Sequence, residues 1–422
     1  MPYVPPPDYL SPRFGLPLIS QSRIQNEFLY RITQPNFPNG SVLENWSSPS
    51  GWTGGSVSTL PDGSAARQIS LTSDGAQWKI YKDMTSLLPW KWSFAVWVWV
   101  DNPANINWAG MFFGKENWSG SVADYYGGYF QNQLKAGLNL VILRQDQFTA
   151  YGTPGGWAST PYFKIGATAK SGYTAVIKVG KVMMYQYPGM VTLQADDGYG
   201  TVLTRAYPYM AAKSPVIRGN CAIARQYLGR NGSMVEENLR TLMAAGWKMH
   251  NHTYTHQHLT SMTDPAEIEM EIAKGAEYCH AISNGAKSGL HFTPSYFQSN
   301  ATVDRFIKKY AVSAGAGAFT NGNPYYLYLP FLDPMHLKLS VLLQATTAAT
   351  VNGWIDTAIA QGAWIILVFH NVWDTTQGDF YDSGYADNNY PYAQFTQIID
   401  HISTAMNAGT LLNVSYAEAL AA

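Results

Sequence analysis

The chain has 422 residues with 27 basic and 28 acidic side chains, and a net charge of -1 argues against nucleic acid as a partner. Charged residues make up only 13% while 46% are hydrophobic and 14% aromatic, which excludes disorder for most of the length and supplies apolar mass for two cores. Cys221 and Cys279 are too few for a disulfide scaffold and match no zinc knuckle, so they read as buried free thiols.

The opening segment, MPYVPPPDYLSPRFG, lacks the basic start and apolar run of a Sec signal, and its prolines would break such a helix. Residues 1–38, rich in Pro, Asn and Gln without periodicity, read as an extended arm that is either a linker or a docking peptide. The most apolar runs, Phe94 to Val100 and Trp364 to Phe369, are far shorter than the roughly 20 residues a bilayer span needs. A soluble chain with no membrane span is expected. Action outside the cell would then rely on another export route, a trimmed precursor or release within a larger particle.

From 39 to 188 short apolar runs alternate with Gly, Asn and Asp clusters. ARQISLTS, AQWKIYKDM, WSFAVWVWVD, AGLNLVILRQ and YTAVIKVGKVMMYQYP each read as a strand, and together they predict an all-β sandwich. Phe94, Val96, Val98 and Val100 alternate with Ala95, Trp97 and Trp99, so both faces of that strand are apolar, as in a buried strand. Ten of the 14 tryptophans lie between Trp46 and Trp157. Trp97 and Trp99 are expected in the core, whereas Trp52, Trp108, Trp118 and Trp157, in loops, are the better candidates for stacking on sugar rings. The segment resembles jelly-roll carbohydrate-binding modules, without a specific motif.

After Gly189 the rhythm becomes strand, loop and helix. VTLQA (Val191 to Ala195) and PVIRGNCAI are short apolar runs. Ser233 with Glu236 suggests a capping box for a helix through Ala245, closed by Gly246, and WKMHNH follows as a strand. Asp264, Pro265 and Glu267 supply the N-cap, first-turn proline and third-position acid of a helix ending near Gly285. Further helices near Val303 to Tyr310, Trp354 to Ala360 and Phe395 to Ala408, the strand WIILVFH and the run LLNVSY continue the pattern. Repeated βα units over 189–422 predict a parallel sheet or barrel with its working loops at the strand carboxyl ends.

Three polar clusters stand at such ends. Asp196, Asp197 and Gly198 follow VTLQA, and an acid pair beside a glycine is by itself equally a turn. His252, Thr253, Tyr254, Thr255 and His256 follow WKMHN, and imidazoles at i and i+4 can converge on one ion from a helical turn or a tight loop. His370 ends WIILVFH and alone would read as a core histidine. All nine histidines lie at or after His250, so the two halves do different chemistry.

In this order and spacing the clusters resemble the polysaccharide deacetylase family of carbohydrate esterases. LQADDG is similar to the family's TFDDG motif, HTYTH to H-[ST]-x-x-H, and VFH to L-x-H, over about Met190 to Leu420. The resemblance implies an α/β fold, a distorted (β/α) barrel of the NodB deacetylase type, preceded here by the jelly-roll-like sandwich. It also implies that Asp197, His252 and His256 hold a divalent metal, zinc first and cobalt, nickel or manganese as alternatives. Asp196 would be the general base, His370 the general acid, and the Tyr296 backbone N–H in FTPSYF part of an oxyanion hole. Val368 would line a pocket for the acetyl methyl, with Tyr199, Trp373 and Asp374 contacting the sugar. Thr293 stands where the family often has an arginine that orients the base, and Gly353 precedes Trp354 where a D-W motif has aspartate. His250 and His258 flank the motif as support or surface positions.

The implied activity is metal-dependent removal of N-acetyl, or O-acetyl, groups from a polysaccharide. The alternative is a glycan-binding protein with a degenerate deacetylase domain. A phage tail protein acting on capsule is a further setting, in which a homo-oligomer, specifically a trimer, is expected.

Overall fold

A computed structural model describes residues 40–421 apart from 45, 47–51, 73–77, 84–91, 119–120, 187, 284–289, 317–323 and 329–332; ahead of residue 40 it describes Tyr9–Leu10 and Pro17–Leu18, which pair antiparallel. The rest of the arm read over residues 1–38 lies outside the described residues. The chain divides into two compact units, Asn36–Tyr187 and Pro188–Ala422 with Met1–Pro35. Among the described residues no helix is long and apolar enough to cross a membrane.

The first unit is a β-sandwich. One antiparallel sheet runs β8 (Gly137–Arg144), β5 (Trp92–Val100), β11 (Ala175–Gln186), β3 (Ala65–Leu71) and β2 (Ser56–Thr59), with β1 (Gly40–Glu44) also on β11. The other runs β9 (Thr149–Tyr151), β7 (Tyr125–Tyr129), β6 (Ile106–Gly114), β10 (Tyr162–Ala169) and β4 (Trp78–Asp83). All five strands read from the sequence are present. Of the second sheet, β9 was not legible because it is only three residues long, and β6, β7 and β10 because glycines interrupt their pattern. Gly110 is one such position: a Cβ there would stand 2.8 Å from the Phe112 ring, so the glycine makes room for the aromatic residue two positions on.

The tryptophans exchange the places expected of them. Phe94, Val96, Val98 and Val100 of β5 face the core with Met111, Phe113, Phe163 and Ile165, while Trp97 and Trp99 are half-buried on the opposite face. Trp52, Trp118 and Trp157 are buried at 8%, 3% and 7% exposure, and of the loop candidates only Trp108 stays half-exposed. Trp157 packs between Phe113 and Tyr126, at 5.3 and 4.4 Å between ring centres. A loop ring plugs the sandwich here because strand side chains alone leave its end open.

The second unit is an open parallel (β/α) barrel. Its strands are β12 (Gly189–Asp196), β13 (Gly219–Ile223), β14 (Lys248–Asn251), β15 (His291–Phe292), β16 (Ser313–Ala314), β17 (Ser340–Val341), β18 (Trp364–Phe369) and β19 (Leu411–Asn413), and all their pairings are parallel. They are ordered β16-β15-β14-β13-β12-β18-β17, with β19 also on β12. Every side chain of β12 and β18 is buried, which is why neither strand shows an alternating pattern.

Five helices follow the expected positions: α1 (Glu236–Ala244), α2 (Pro265–Ile282), α3 (Ala301–Tyr310), α4 (Ala348–Gln361) and α5 (Tyr392–Asn407). Asp264 caps α2 as read, its carboxylate accepting from the Ala266 N–H at 2.8 Å. For α1 the cap differs. Val235 is the N-cap and its N–H donates to Asn238 Oδ1 at 2.9 Å, while Ser233 forms a β-bridge with Tyr199. Trp354 lies within α4 and packs in the hydrophobic core, so Gly353–Trp354 is helix interior and not a site motif.

Candidate active site

Four strand ends carry the polar residues to one place. Asp196 closes β12 and Asp197 follows it; His252 follows β14, Thr293 follows β15, and His370 follows β18. All five are buried, from 0% exposure at Asp196 to 7% at Asp197.

His252 and His256 converge from a tight loop rather than a helical turn. Thr253 and His256 sit at φ of 66° and 63°, and the Thr253 hydroxyl accepts from the His256 N–H at 2.9 Å. Glu271, 4% exposed on α2, closes the loop: it accepts from the N–H groups of Tyr254 and Thr255 at 3.1 and 2.8 Å and from the Thr255 hydroxyl at 2.7 Å. Gly275 on the same helix face lets α2 approach, since a Cβ there would fall 2.1 Å from Asn251 Oδ1.

The ligating atoms of Asp197, His252 and His256 lie within 4.8 Å of one another. His252 Nε2 is 3.5 Å and His256 Nε2 3.1 Å from Asp197 Oδ1. Donors about 2.1 Å from a tetrahedral ion stand roughly 3.4 Å apart, so the spacing suits a small divalent ion. The His252 ring is oriented from behind: a carbonyl only accepts, so Nδ1–H donates to Thr293 O at 2.7 Å, and an ion that displaced the Nε2 proton would meet that nitrogen's lone pair on the side of Asp197. His256 Nδ1 lies 3.1 Å from the Tyr227 hydroxyl, which can orient that ring in the same way. Asp197 Oδ1 is buried with no well-aligned hydrogen bond, the two imidazole nitrogens being its near polar neighbours. Lone pairs facing a carboxylate need a cation between them, and the donor set of two imidazoles and one carboxylate therefore fits a divalent metal.

With no ion between them, protons on the imidazoles supply the positive charge. Burial alone would raise Asp197, but the two imidazoles and the charge of His370 hold its carboxyl well below the usual range. Burial would lower His252, yet Asp196 and Asp197 raise it to about 9. Burial is the largest influence on Asp196 and leaves it above the ordinary carboxylate value, although His252, His370 and Gln194 pull it down.

A cavity of about 480 Å³ opens over the triad, lined among others by Asp197, Tyr199, His252, His256, Tyr296 and His370. The Tyr199 hydroxyl donates to Asp382 Oδ2 at 2.5 Å. Tyr296, at φ 61° and 43% exposed, lays its ring 5.1 Å from His256 and 5.0 Å from His258. Val368 is fully buried in β18, and Val341 and Leu343 form the aliphatic wall in its place. Trp373 packs on Tyr381, and Asp374 caps the turn Thr375–Gln377; neither lines the cavity. His250 is buried against Asn220 Oδ1 at 3.1 Å, not at the surface.

Sequence reading missed Glu271, Gln194, Tyr227, Asp382 and Tyr385. Glu271 had a signal, an acid in line with Ile268, Ile272 and Cys279 on the buried face of α2, as did Gln194, a polar residue inside an apolar strand. The others come from loops that carry no periodic pattern.

The polysaccharide deacetylase family model matches residues 186–315. No curated protein sequence matches the chain. Similar solved structures include a family 4 carbohydrate esterase from Streptomyces lividans, 18% identical over 54% of this chain and 92% of that one with a TM-score of 0.33. The chitin deacetylase of Colletotrichum lindemuthianum is 15% identical over 56% and 88%, with a TM-score of 0.37. A family 11 carbohydrate-binding module from Clostridium thermocellum is 8% identical over 35% and 96%, with a TM-score of 0.29. Residues 186–315, which carry the Asp197, His252 and His256 triad, are matched as a polysaccharide deacetylase domain.

Proposed function

We propose that the protein is a metal-dependent deacetylase acting on an acetylated polysaccharide, with N-acetyl groups its first substrate and O-acetyl groups the alternative. The observation that carries the reading is the meeting of Asp197, His252 and His256, whose ligating atoms lie within 4.8 Å of one another. A divalent ion held by these three, zinc being the best match to two imidazoles and a carboxylate, would supply carbonyl polarisation and acidified water. Asp196 takes the proton of the attacking water, and its burial suits a base that must also release that proton. His370 protonates the departing amine or alkoxide, and the Tyr296 backbone N–H stabilises the oxyanion. Tyr199, Tyr296 and Tyr385 give the cavity the flat apolar walls that sugar rings stack against.

Acetate release should be measured from a panel of bacterial surface glycans and chitin oligomers, with and without chelator. Loss on chelation and recovery with zinc or cobalt are expected. Full activity in Asp197→Ala would overturn the metal assignment.

For the sandwich we propose glycan binding at the face of the second sheet turned away from its core. Trp108, Phe112, Tyr125, Tyr129 and Tyr151 form a chain of ring contacts there, from 4.7 Å between Tyr125 and Tyr151 to 6.2 Å between Trp108 and Tyr129. Tyr129, 41% exposed, is its most open ring. Calorimetric titration with polysaccharide fragments should show affinity that falls in Tyr129→Ala; equal affinity in the variant would remove this face from consideration.

A further inference from the structure

We infer that Gln194, latched by Tyr416, is the positioning residue that orients the carboxylate of Asp196. The inference rests on the reading of Asp196 as the base. Gln194 lies two residues before Asp196 on the fully buried strand β12, so both side chains leave the same face. Its Nε2 donates to Asp196 Oδ1 at 2.7 Å and to the Thr293 hydroxyl at 3.3 Å, and its Oε1 accepts from the Tyr416 hydroxyl. A carboxylate can take a hydrogen bond only from the NH2 end of the amide, and Tyr416 donates at the other end, so the orientation of the amide is determined by chemistry.

Tyr416 is itself immobilised. It is 1% exposed, and His291 stacks on its ring with 3.5 Å between centres and 18° between planes. His291 is in turn 2.9 Å from the Ser313 hydroxyl through Nδ1. Burial pushes the Tyr416 phenol well above its ordinary range, with the charge of Asp196 adding to it, so it remains a donor. The result is asymmetry between the two oxygens of Asp196: Oδ1 is held, while Oδ2 has no hydrogen-bond partner. Rotation about the Cβ–Cγ bond would break the Gln194 bond, so Oδ2 is the oxygen left to take a proton. Thr293, too short to reach far into the site, takes part by receiving the second N–H of the same amide.

The test is steady-state kinetics on N-acetylglucosamine oligomers with zinc-loaded full-length protein carrying Gln194→Met, which keeps the volume and removes the amide, and Tyr416→Phe, which removes only the hydroxyl. Outer partners of this kind are worth about 10–100-fold. In Gln194→Met kcat should fall by that factor with KM within about twofold, and zinc affinity by titration calorimetry should match the wild type. Tyr416→Phe should lower kcat in the same direction by less. Introduced into Asp196→Asn, Gln194→Met should cause no further loss of kcat, because of the bonds the amide makes only the one to Asp196 bears on the reacting atoms. Wild-type kcat in Gln194→Met and Tyr416→Phe, a rise in KM at constant kcat, or a full additional loss in the Asp196→Asn background would overturn the inference. Full activity in Asp196→Asn itself would remove the base reading and the inference with it, whereas an inactive Asp196→Asn beside an unaffected Gln194→Met would remove the inference alone.

Discussion

The two units differ in what fills their centres. At the centre of the sandwich are aromatic rings: Phe94, Phe113, Phe148 and Trp157 lie within 6.4 Å of one another between ring centres, and Phe163 packs on Phe113 at 5.0 Å. The deacetylase unit hides Asp196, Asp197, His252, Gln194, Glu271 and Thr293, all at 7% exposure or less. A chain with 13% charged residues has spent part of that small supply inside one barrel. The difference teaches where each unit is vulnerable. Loss of an aromatic ring should cost the sandwich stability, while loss of a buried polar group should cost the barrel chemistry before it costs the fold.

The sharpest test of that contrast is Asp196→Asn, which preserves shape and should reduce kcat by about 10²–10⁴-fold with little change in thermal midpoint, as followed by acetate release and calorimetry. Phe113→Ala should do the reverse. It should destabilise the sandwich by about 3–5 kcal/mol in a thermal or denaturant melt and leave the zinc-dependent rate unchanged at low temperature. A loss of rate comparable with that of Asp196→Asn would break the contrast. Glu271→Gln puts an NH2 among donors that need acceptors, and zinc affinity should fall by about 10–100-fold in competition with a chelator. Affinity equal to wild type would show that the ligand loop holds its shape without it.

The smallest effect is a matter of pH. Burial tends to lower His336, but Asp333 and Asp304, with carboxylate oxygens 2.6 and 3.0 Å away, raise it above its ordinary value. A raised folded-state value means the ion pairs contribute fully below the unfolded value near 6.5 and lose their contribution as pH climbs through the folded one. The difference in melting temperature between wild type and His336→Gln should therefore be larger at acid than at alkaline pH. A pH-independent difference would mean the pairs add nothing. The imidazole is partly exposed, so the effect should be modest and should shrink in salt.

Much of the site was legible because its residues stand at the ends of apolar runs. Asp197, His252, His256 and His370 each follow a run whose burial the composition already indicates. What fixes those residues was not legible. Tyr416 reaches Gln194 across 222 positions, and Asp382 reaches Tyr199 across 183, distances over which no periodic pattern carries information. In the sandwich, strand existence was readable and facing was not. With Val98 on one side of β5 and Trp97 and Trp99 on the other, only the neighbouring sheet decides which face is inside. Likewise Trp354, which shares only the tryptophan of a D-W motif, sits in the middle of α4.

The left-handed backbone at the site has a further consequence. Asp197, Thr253, His256, Tyr296 and Phe297 all have φ between 56° and 66°, a region costing roughly 1–3 kcal/mol for residues that are not glycine. Folding carries that cost, through Glu271, Thr253 and the strand ends, before any ion arrives. Loading then has little chain to order, so the entropy of binding should be dominated by released water and protons, with amide exchange around residues 252–256 nearly the same in apo and loaded protein. A site built this way would act as a rigid socket, and any selectivity among divalent ions would come from the size and angles of the frame and not from induced closure.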